Sequence, residues 1–300
     1  MYKLGSKGSV VGQIQELLGI PVDRNFGPKT QAAVMSYQRR NYLVADGVVG
    51  PKTLEHMGIL DTDSKVGTYA STPEGLKIAK HYLSKDEYIK TESGHVNDFL
   101  FLHHTAGWNN PYATIDQWEK DSRGKIATEF VIGGLNMKNG DDRYDGEVVQ
   151  AFPDGGQGWH LGATGSYYMN RHSVGIEVCN FGYLKKDGET FKNYVSVAAD
   201  KNQVVDLGYK FRNYQYWHKY SDAQIKSLKK LIIHIANRDH IDIRKGLIQW
   251  IHEKGAKEAF EFNQAAYEGK VKGLLTHTNV RKDKFDMFPQ QELIDMLVSL

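Results

Sequence analysis

Cysteine pairs and long apolar runs are both missing from this sequence. Its 300 residues include one cysteine, Cys179, so no intramolecular disulfide can form and the fold does not depend on an oxidising compartment. No stretch approaches the roughly 18 consecutive apolar residues that indicate a membrane-spanning helix. The start, MYKLGSKGSVVGQ, lacks the apolar segment of a signal peptide, so we expect synthesis in a cytoplasm without one.

An excess of charge of one sign is absent as well. The 38 basic and 36 acidic residues leave a net charge of +2, which is too balanced to indicate binding to nucleic acid. The apolar share of 40% and the charged share of 25% are ordinary for a globular protein. We therefore expect a monomeric globular protein of more than one domain, with no nucleic acid partner and no membrane insertion.

An internal repeat marks the beginning of the chain. The stretch DRNFGPKT at 23–30 recurs as DGVVGPKT at 46–53, 23 residues later. In each copy an Asp and a Gly-Pro pair favour a tight turn, and the Pro lies near a helix start. Helical periodicity in Val11–Leu18 and Thr30–Arg39 accompanies the repeat. The pattern predicts a small three-helix domain over residues 1–58.

Residues 76–300 have the pattern of a second, α/β domain. A linker is predicted before it at 59–75, which is rich in Asp, Ser, Thr and Gly. A helix is expected over about 75–90, and the clearest helix, Ser221–Arg238, begins with a capping-box pattern. Strand-like segments lie at Val96–His103, Thr128–Gly133, Glu147–Phe152 and Ser173–Cys179. Their alternation with helices predicts a central mixed β-sheet flanked by helices.

One segment of the second domain resists this interpretation. Residues 183–220 are rich in tyrosine and lack clear periodicity, so we interpret them as an insertion of unassigned structure. Cys179 lies just before this insertion, in an apolar strand-like segment. A lone cysteine in such a position is more often inert packing than a nucleophile.

Three stretches carry residue types that suit a catalytic metal ion. FLHHTAG contains His103 and His104, and LLTHTNVRKDKFDMFP contains His277 and Asp286. Two imidazoles and a carboxylate with an open fourth position are what a catalytic zinc requires. On residue type alone, a hydrogen-bonded core pair explains His103 and His104 somewhat better than a metal site does. His277 and Asp286 could equally well tie a loop.

Glu177 belongs to the third stretch, SVGIEVCNFG. A carboxylate between apolar neighbours on a strand needs a partner if it faces the interior, and it is unremarkable if the strand lies at an edge. The residues leave both possibilities open.

Together and in this order, the three stretches resemble the type 2 N-acetylmuramoyl-L-alanine amidases. This family includes phage amidase-lysozymes, bacterial wall-recycling amidases and animal peptidoglycan-recognition proteins. The resemblance covers about residues 96–290 and implies the zinc amidase fold. It implies that Zn²⁺ is bound by His103, by His277 and by Asp286, the last followed by a Pro and preceded by a Lys two residues earlier.

The resemblance also implies catalytic and substrate-binding residues. Gly175-Ile176-Glu177 matches the strand whose Glu is the catalytic base in the wall-recycling branch, and Lys284 would stabilise the oxyanion. Trp159-His160-Leu161-Gly162 resembles a groove-lining segment, so Trp159 and His160 are expected to contact substrate.

One position departs from the family pattern. Phage members often carry a catalytic Tyr where this chain has Thr128. The departure favours Glu177 as the base, although Glu129 could share the role.

The repeat at the beginning of the chain resembles the type 1 peptidoglycan-binding domain over residues 8–58. With the amidase resemblance, it implies a phage endolysin that hydrolyses the amide between N-acetylmuramic acid and L-alanine in bacterial peptidoglycan. We expect such a protein to be made in the host cytoplasm and to act on the cell wall after release. A bacterial autolysin, a non-catalytic peptidoglycan-recognition protein and a zinc peptidase that cuts the stem peptide are the alternatives.

Overall fold

A computed structural model describes residues 1–41, 43–57, 59, 70–92, 94–162 and 165–300. The chain divides into two compact units, Met1–Val66 and Gly67–Leu300. Residues 60–69, most of the predicted linker, lie outside the described residues. No helix among the described residues combines the length and the apolar character needed to cross a membrane.

The described residues of the first unit form three helices, as predicted, around an apolar core. Its helices are α1 (Ser9–Leu17), α2 (Pro28–Arg40) and α3 (Pro51–Met57). The prolines of both repeats open α2 and α3, where a missing N–H costs nothing. The buried core includes Val10, Ile14, Phe26, Val34, Val49 and Leu54.

The sequence repeat has a structural counterpart built on two buried glutamines. Gln15 Nε2 donates to Asp23 Oδ1, to the Asn25 carbonyl and to Thr30 Oγ1. Gln38, 23 residues later, makes the equivalent bonds to Asp46, Val48 and Thr53. Each glutamine thus ties a helix to the turn that follows it, which explains why the Asp and Thr of the motif recur.

A seven-stranded mixed sheet forms the centre of the second unit. In spatial order its strands are β1 (Ala70–Ser71), β2 (Lys77–Lys80), β6 (Val148–Gln150), β5 (Phe130–Ile132), β8 (Ser173–Val178), β4 (Phe99–His104) and β13 (Gly273–Thr276). The strands β5, β8, β4 and β13 are parallel to one another, whereas β5 and β6 are antiparallel. Residues Phe99–Leu102 of β4 are fully buried, as expected for a central parallel strand.

Helices flank this sheet, so the predicted fold class is confirmed. They are α4 (Pro111–Trp118), α5 (Tyr167–Arg171), α6 (Asp222–Asp239), α7 (Leu247–Lys254), α8 (Ala256–Ala259), α9 (Gln264–Tyr267), α10 (His277–Val280) and α11 (Gln291–Val298). The predicted capping box of α6 is present between Ser221 and Gln224. A short two-stranded sheet joins β3 (Ile89–Lys90) to β7 (Gly156–Gln157), and Lys201–Gln203 forms one 3₁₀ turn.

The prediction of a helix over residues 75–90 is wrong. Part of this segment forms β2, which pairs in parallel with β6 through Ile78 opposite Val148. Ile78 and Ala79 are buried in the sheet, and the end of the segment forms β3. Strand pairing with a distant segment has decided the local conformation here, which local periodicity cannot register.

The insertion at residues 183–220 folds into a four-stranded antiparallel sheet, which we call the inserted sheet. Its spatial order is β10 (Thr190–Lys192), β9 (Tyr183–Asp187), β12 (Tyr214–His218) and β11 (Val204–Phe211). A two-residue turn, Arg212-Asn213, joins β11 to β12, and both residues have positive φ, 49° and 72°. Positive φ at both central residues is characteristic of the type I′ turn that suits the twist of a hairpin.

Candidate metal centre

The candidate site lies where the central parallel strands end. His103 and His104 are the last residues of β4, and successive side chains of a strand point to opposite faces. His103 faces His277 and Asp286, whereas Nδ1 of His104 lies 2.8 Å from the Tyr220 hydroxyl. The strand therefore assigns different surroundings to the two neighbouring histidines.

The other two members of the cluster come from one loop. His277 follows β13 directly and opens α10, whose first turn carries a capping box between Thr276 and Asn279. Asp286 lies nine residues further on, and its carbonyl accepts a hydrogen bond from the Thr278 amide, with N and O 3.0 Å apart. This bond closes the loop and brings both side chains to the end of β4.

His103, His277 and Asp286 converge on one point. Nδ1 of His103 lies 3.1 Å from Nδ1 of His277 and 3.1 Å from Oδ2 of Asp286, and the third distance is 2.9 Å. Ligands about 2.0–2.2 Å from a tetrahedral zinc lie roughly 3.3–3.5 Å apart, so the triangle is only slightly contracted. Within the described residues, no other group of three His, Cys, Asp or Glu side chains meets in this way. The donor set fits zinc.

The protonation states within the cluster also suit a cation. Burial lowers the pKa of His103 to about 4, so its imidazole is neutral near pH 7. Burial alone would raise the pKa of the Asp286 carboxyl, but His277 and His103 beside it hold that pKa well below its usual range. A neutral imidazole and an ionised carboxylate are the forms in which these groups bind a metal.

His160 lies behind His103 rather than free in a groove. Its Nδ1 is 2.9 Å from Nε2 of His103, and its Nε2 is 2.7 Å from the Ser173 hydroxyl. If Nδ1 of His103 is the ligand atom, Nε2 carries the proton and donates to His160, which in turn donates to Ser173. Burial holds the pKa of His160 well below its usual range, which keeps it a neutral acceptor. The resemblance did not suggest this supporting contact.

Glu177 stands beside the cluster on the neighbouring strand. It pairs with His103 in the register of β8 against β4 and is half-buried. No hydrogen bond joins its carboxylate to any side chain that the structure describes. Burial, reinforced by the negative charge of Asp286 and opposed by Lys284, raises the pKa of Glu177 well above its usual range. A carboxyl group with a raised pKa is suited to accept and return a proton.

Glu129 lies in different surroundings from Glu177. Its two carboxylate oxygens accept hydrogen bonds from Arg238 of α6 at 2.6 and 2.9 Å, and Gln150 donates a third. The hydroxyl of the preceding Thr128 donates to the Phe130 carbonyl. Glu129 thus belongs to a buried ion pair with Arg238, and its hydrogen-bond partners do not include His103, His277 or Asp286.

Two predicted site residues, Lys284 and Trp159, lie outside the cluster of His103, His277 and Asp286. Lys284 is half-buried, and its charge opposes protonation of both His103 and Glu177. Trp159 is half-buried with its ring 5.4 Å from that of Tyr167, which is 68% exposed. Neither composition nor motif singled out Tyr167.

Cys179 is buried, and burial raises its pKa to about 12, which is incompatible with a thiolate nucleophile.

Family comparisons bear on both units. A family model described as N-acetylmuramoyl-L-alanine amidase matches residues 93–259, and one described as a putative peptidoglycan binding domain matches residues 9–57. The amidase match includes His103, His160 and Glu177 and ends before His277 and Asp286.

Individual relatives are more distant. The amidase CwlA of Bacillus subtilis (strain 168) is 27% identical over 128 residues, which cover 42% of this chain and 39% of that protein. The chain thus spans about two fifths of the length of this curated relative.

Solved structures match with low scores. The amidase LysC from Clostridium intestinale URNW shares 16% identity with a TM-score of 0.40, over 75% of this chain and 98% of that chain. The amidase AmiD from E. coli, in complex with anhydro-N-acetylmuramic acid-L-Ala-D-gamma-Glu-L-Lys, shares 20% identity with a TM-score of 0.31, over 52% of this chain and 49% of that chain. The family model, by contrast, covers more than half of the chain. The chain therefore belongs to the N-acetylmuramoyl-L-alanine amidase family.

Proposed function

We propose that this protein is a zinc-dependent N-acetylmuramoyl-L-alanine amidase. Its substrate would be the amide between the lactyl group of N-acetylmuramic acid and L-alanine in bacterial peptidoglycan. The observation that carries the proposal is the convergence of His103, His277 and Asp286 within 3.1 Å of one another beside the half-buried Glu177. A recognition protein without activity would need neither the full donor set nor this carboxyl group.

His103, His277 and Asp286 would hold the zinc ion through Nδ1, Nδ1 and Oδ2. Bound there, zinc supplies a Lewis acid that polarises a carbonyl group and lowers the pKa of water toward about 7. His160 acts through His103, because it fixes the tautomer and the orientation of that ring.

Glu177 and Lys284 would perform the proton transfer and the charge stabilisation. Glu177 takes a proton from the attacking water and returns it to the amine of L-alanine as the carbon–nitrogen bond breaks. Lys284 presents a positive charge to the oxyanion that develops on the amide carbonyl. Its influence on the pKa of Glu177 supports a location close enough for this role.

Trp159 and the half-buried His160 are the proposed contacts to the glycan or the stem peptide. The ring of Tyr167 extends the surface of Trp159 and is the more exposed of the two. Rigid aromatic rings of this kind provide contact area at a low cost in conformational entropy.

The first unit would bind peptidoglycan and keep the amidase unit close to its polymeric substrate. Such tethering raises the effective concentration of the enzyme at the wall without any new contact at the active site. A match to a peptidoglycan-binding domain over residues 9–57 supports this role. We infer an endolysin-type function, in which a monomer made in the host cytoplasm acts on the wall after release.

A soluble N-acetylmuramoyl-peptide tests the proposal. The purified protein should release the free peptide, lose this activity when a chelator removes its metal, and regain it with one equivalent of zinc. Glu177→Gln should retain zinc and bind the fragment with little turnover. Binding without turnover by the unmodified, zinc-loaded protein would indicate a recognition protein instead.

A further inference from the structure

The two proposed histidine ligands are held in different ways. His103 lies on a buried strand, and its outer ring nitrogen is bonded to His160. Nε2 of His277 is buried and has no hydrogen-bond partner among the described residues. Because no described side chain bonds this nitrogen, the position of the His277 ring depends on the backbone of the loop from His277 to Asp286, which we call the ligand loop.

The side chain of Arg212, from the inserted sheet, forms hydrogen bonds to the ligand loop at two points. Nη1 of Arg212 donates to the carbonyl of Lys282 at 2.7 Å, and Nη2 donates to the carbonyl of Thr278 at 3.0 Å. Nε lies 3.1 Å from Oε2 of Glu261, and only 11% of the Arg212 side chain is exposed. One planar guanidinium group thus joins the residue next to His277 to the middle of the loop.

The backbone at Arg212 is arranged to deliver this contact. Arg212 is the first residue of the two-residue turn between β11 and β12, with φ of 49°. The left-handed region is unfavourable for a residue with a long side chain and is more often occupied by Gly, Asn or Asp. A strained backbone conformation of this kind persists where surrounding contacts stabilise it. At Arg212 these contacts are its hydrogen bonds to the ligand loop.

The inserted sheet touches the ligand loop at a second place. The rings of Tyr183 and Tyr214 stack on each other and lie 5.3 and 5.8 Å from the ring of Phe285. Phe285 is the neighbour of Asp286 in the chain. The inserted sheet therefore contacts the loop beside each of its two proposed ligands.

We propose that the inserted sheet stabilises the ligand loop of the metal centre and that Arg212 is the residue that positions this loop. Arg212 acts through the carbonyls of Thr278 and Lys282, which orders the ligand loop before zinc binds. A ligand loop that is already ordered loses less conformational freedom on binding, so the affinity for zinc is higher. The inference rests on the proposed function only in taking zinc as the occupant of the centre.

Zinc affinity and loop order can be measured without catalysis. We would compare Arg212→Met, Arg212→Lys and the control Lys210→Met, which removes an exposed positive charge from β11 in the full-length chain. Competition with a fluorescent chelator gives the zinc dissociation constant. Hydrogen exchange of the Thr278 amide, which donates to Asp286, reports closure of the loop in the metal-free protein.

Arg212→Met should raise the zinc dissociation constant about 10-fold or more and speed exchange of the Thr278 amide, in the range found for residues that support metal ligands. Arg212→Lys keeps the positive charge but loses the two parallel N–H donors of the guanidinium group. Its zinc dissociation constant and exchange rate should lie between those of Arg212→Met and of the unmodified protein, and Lys210→Met should change neither quantity. A purely structural role for Arg212 would lower the melting temperature and leave zinc affinity unchanged, which would overturn the proposal. Should Arg212→Met fail to fold, unchanged affinity in folded Arg212→Lys would overturn it. If the unmodified protein binds no zinc, both the proposed metal centre and the proposed role of the inserted sheet are wrong.

Discussion

Replacing Glu177 by Gln should separate catalysis from stability. Gln keeps the size of Glu but cannot accept the proton of the attacking water, so kcat should fall by roughly 10²–10⁴-fold. At about 1.36 kcal/mol per tenfold, the barrier rises by about 3–5 kcal/mol. The free energy of unfolding should not decrease, because Glu177 makes no hydrogen bond with the side chains that the structure describes, and its pKa is raised by burial. The substitution removes an unfavourable buried charge and breaks no side-chain hydrogen bond among the described residues.

Glu129→Gln is the matched comparison, and it should have the opposite effect. It removes the negative charge that binds Arg238 at 2.6 and 2.9 Å, in a site where Glu129 is 3% exposed. Breaking a fully buried ion pair costs about 3–5 kcal/mol. Arg238 keeps Asp239 and Asp154 as partners, so we expect a smaller loss of about 2 kcal/mol in the free energy of unfolding. Turnover by the folded variant should be normal.

The assay is release of free peptide from a soluble N-acetylmuramoyl-peptide, run beside urea denaturation of both variants with zinc bound. Normal turnover by Glu177→Gln with zinc present would refute the assignment of the base. A loss of turnover by Glu129→Gln, with its stability unchanged, would move the base to Glu129 and contradict the geometry.

Four further outcomes follow from the structure. The rate at low substrate should fall as pH drops through the raised pKa of Glu177, so the acid limb begins at a higher pH than for an ordinary carboxyl group, and a limb centred at or below the usual carboxyl range would contradict this. His160→Phe should weaken zinc binding about 10–100-fold in a chelator competition, since His103 loses the partner of its Nε2, and unchanged affinity would show that the contact is incidental. Gln15→Leu and Gln38→Leu should each lower the free energy of unfolding of the first unit by about 1–3 kcal/mol, and clearly unequal losses in urea denaturation would contradict their equivalence. Removal of residues 1–60 should leave activity on soluble fragments intact while reducing sedimentation with whole sacculi, because the buried core residues of the first unit lie within residues 2–57. Global unfolding of the remainder would contradict separate domains.

Local patterns predicted those parts of the fold that local interactions determine. The clearest predicted helix, Ser221–Arg238, matches α6 (Asp222–Asp239) closely, and its capping box needs only Ser221 and Gln224. The inserted sheet was not predicted, although Val205–Phe211 of β11 alternates between more buried and exposed residues, and this period of two is the signal that could have found the strand. The irregular pairing of β11 with β12 between Asp206 and Phe211 is a tertiary feature that local periodicity does not record. The helix expected at residues 75–90 is wrong because pairing with β6 determines that segment.

The candidate site was accessible to sequence reasoning only through resemblance. His103 and His277 are 174 residues apart, so no spacing rule joins them, and the parallel pairing of β4 with β13 is what brings them together. The support that we propose from His160 and Arg212 depends on tertiary contacts across 57 residues for His160 and 66 or 70 for Arg212, which no local pattern records.

The identity of the bond that is cut tests the central claim most directly. Purified sacculi digested with the zinc-loaded protein and analysed by mass spectrometry should yield stem peptides with a free L-alanine amino terminus and glycan strands with intact N-acetylmuramic acid. New reducing sugar ends, or new amino termini other than alanine, would contradict the account.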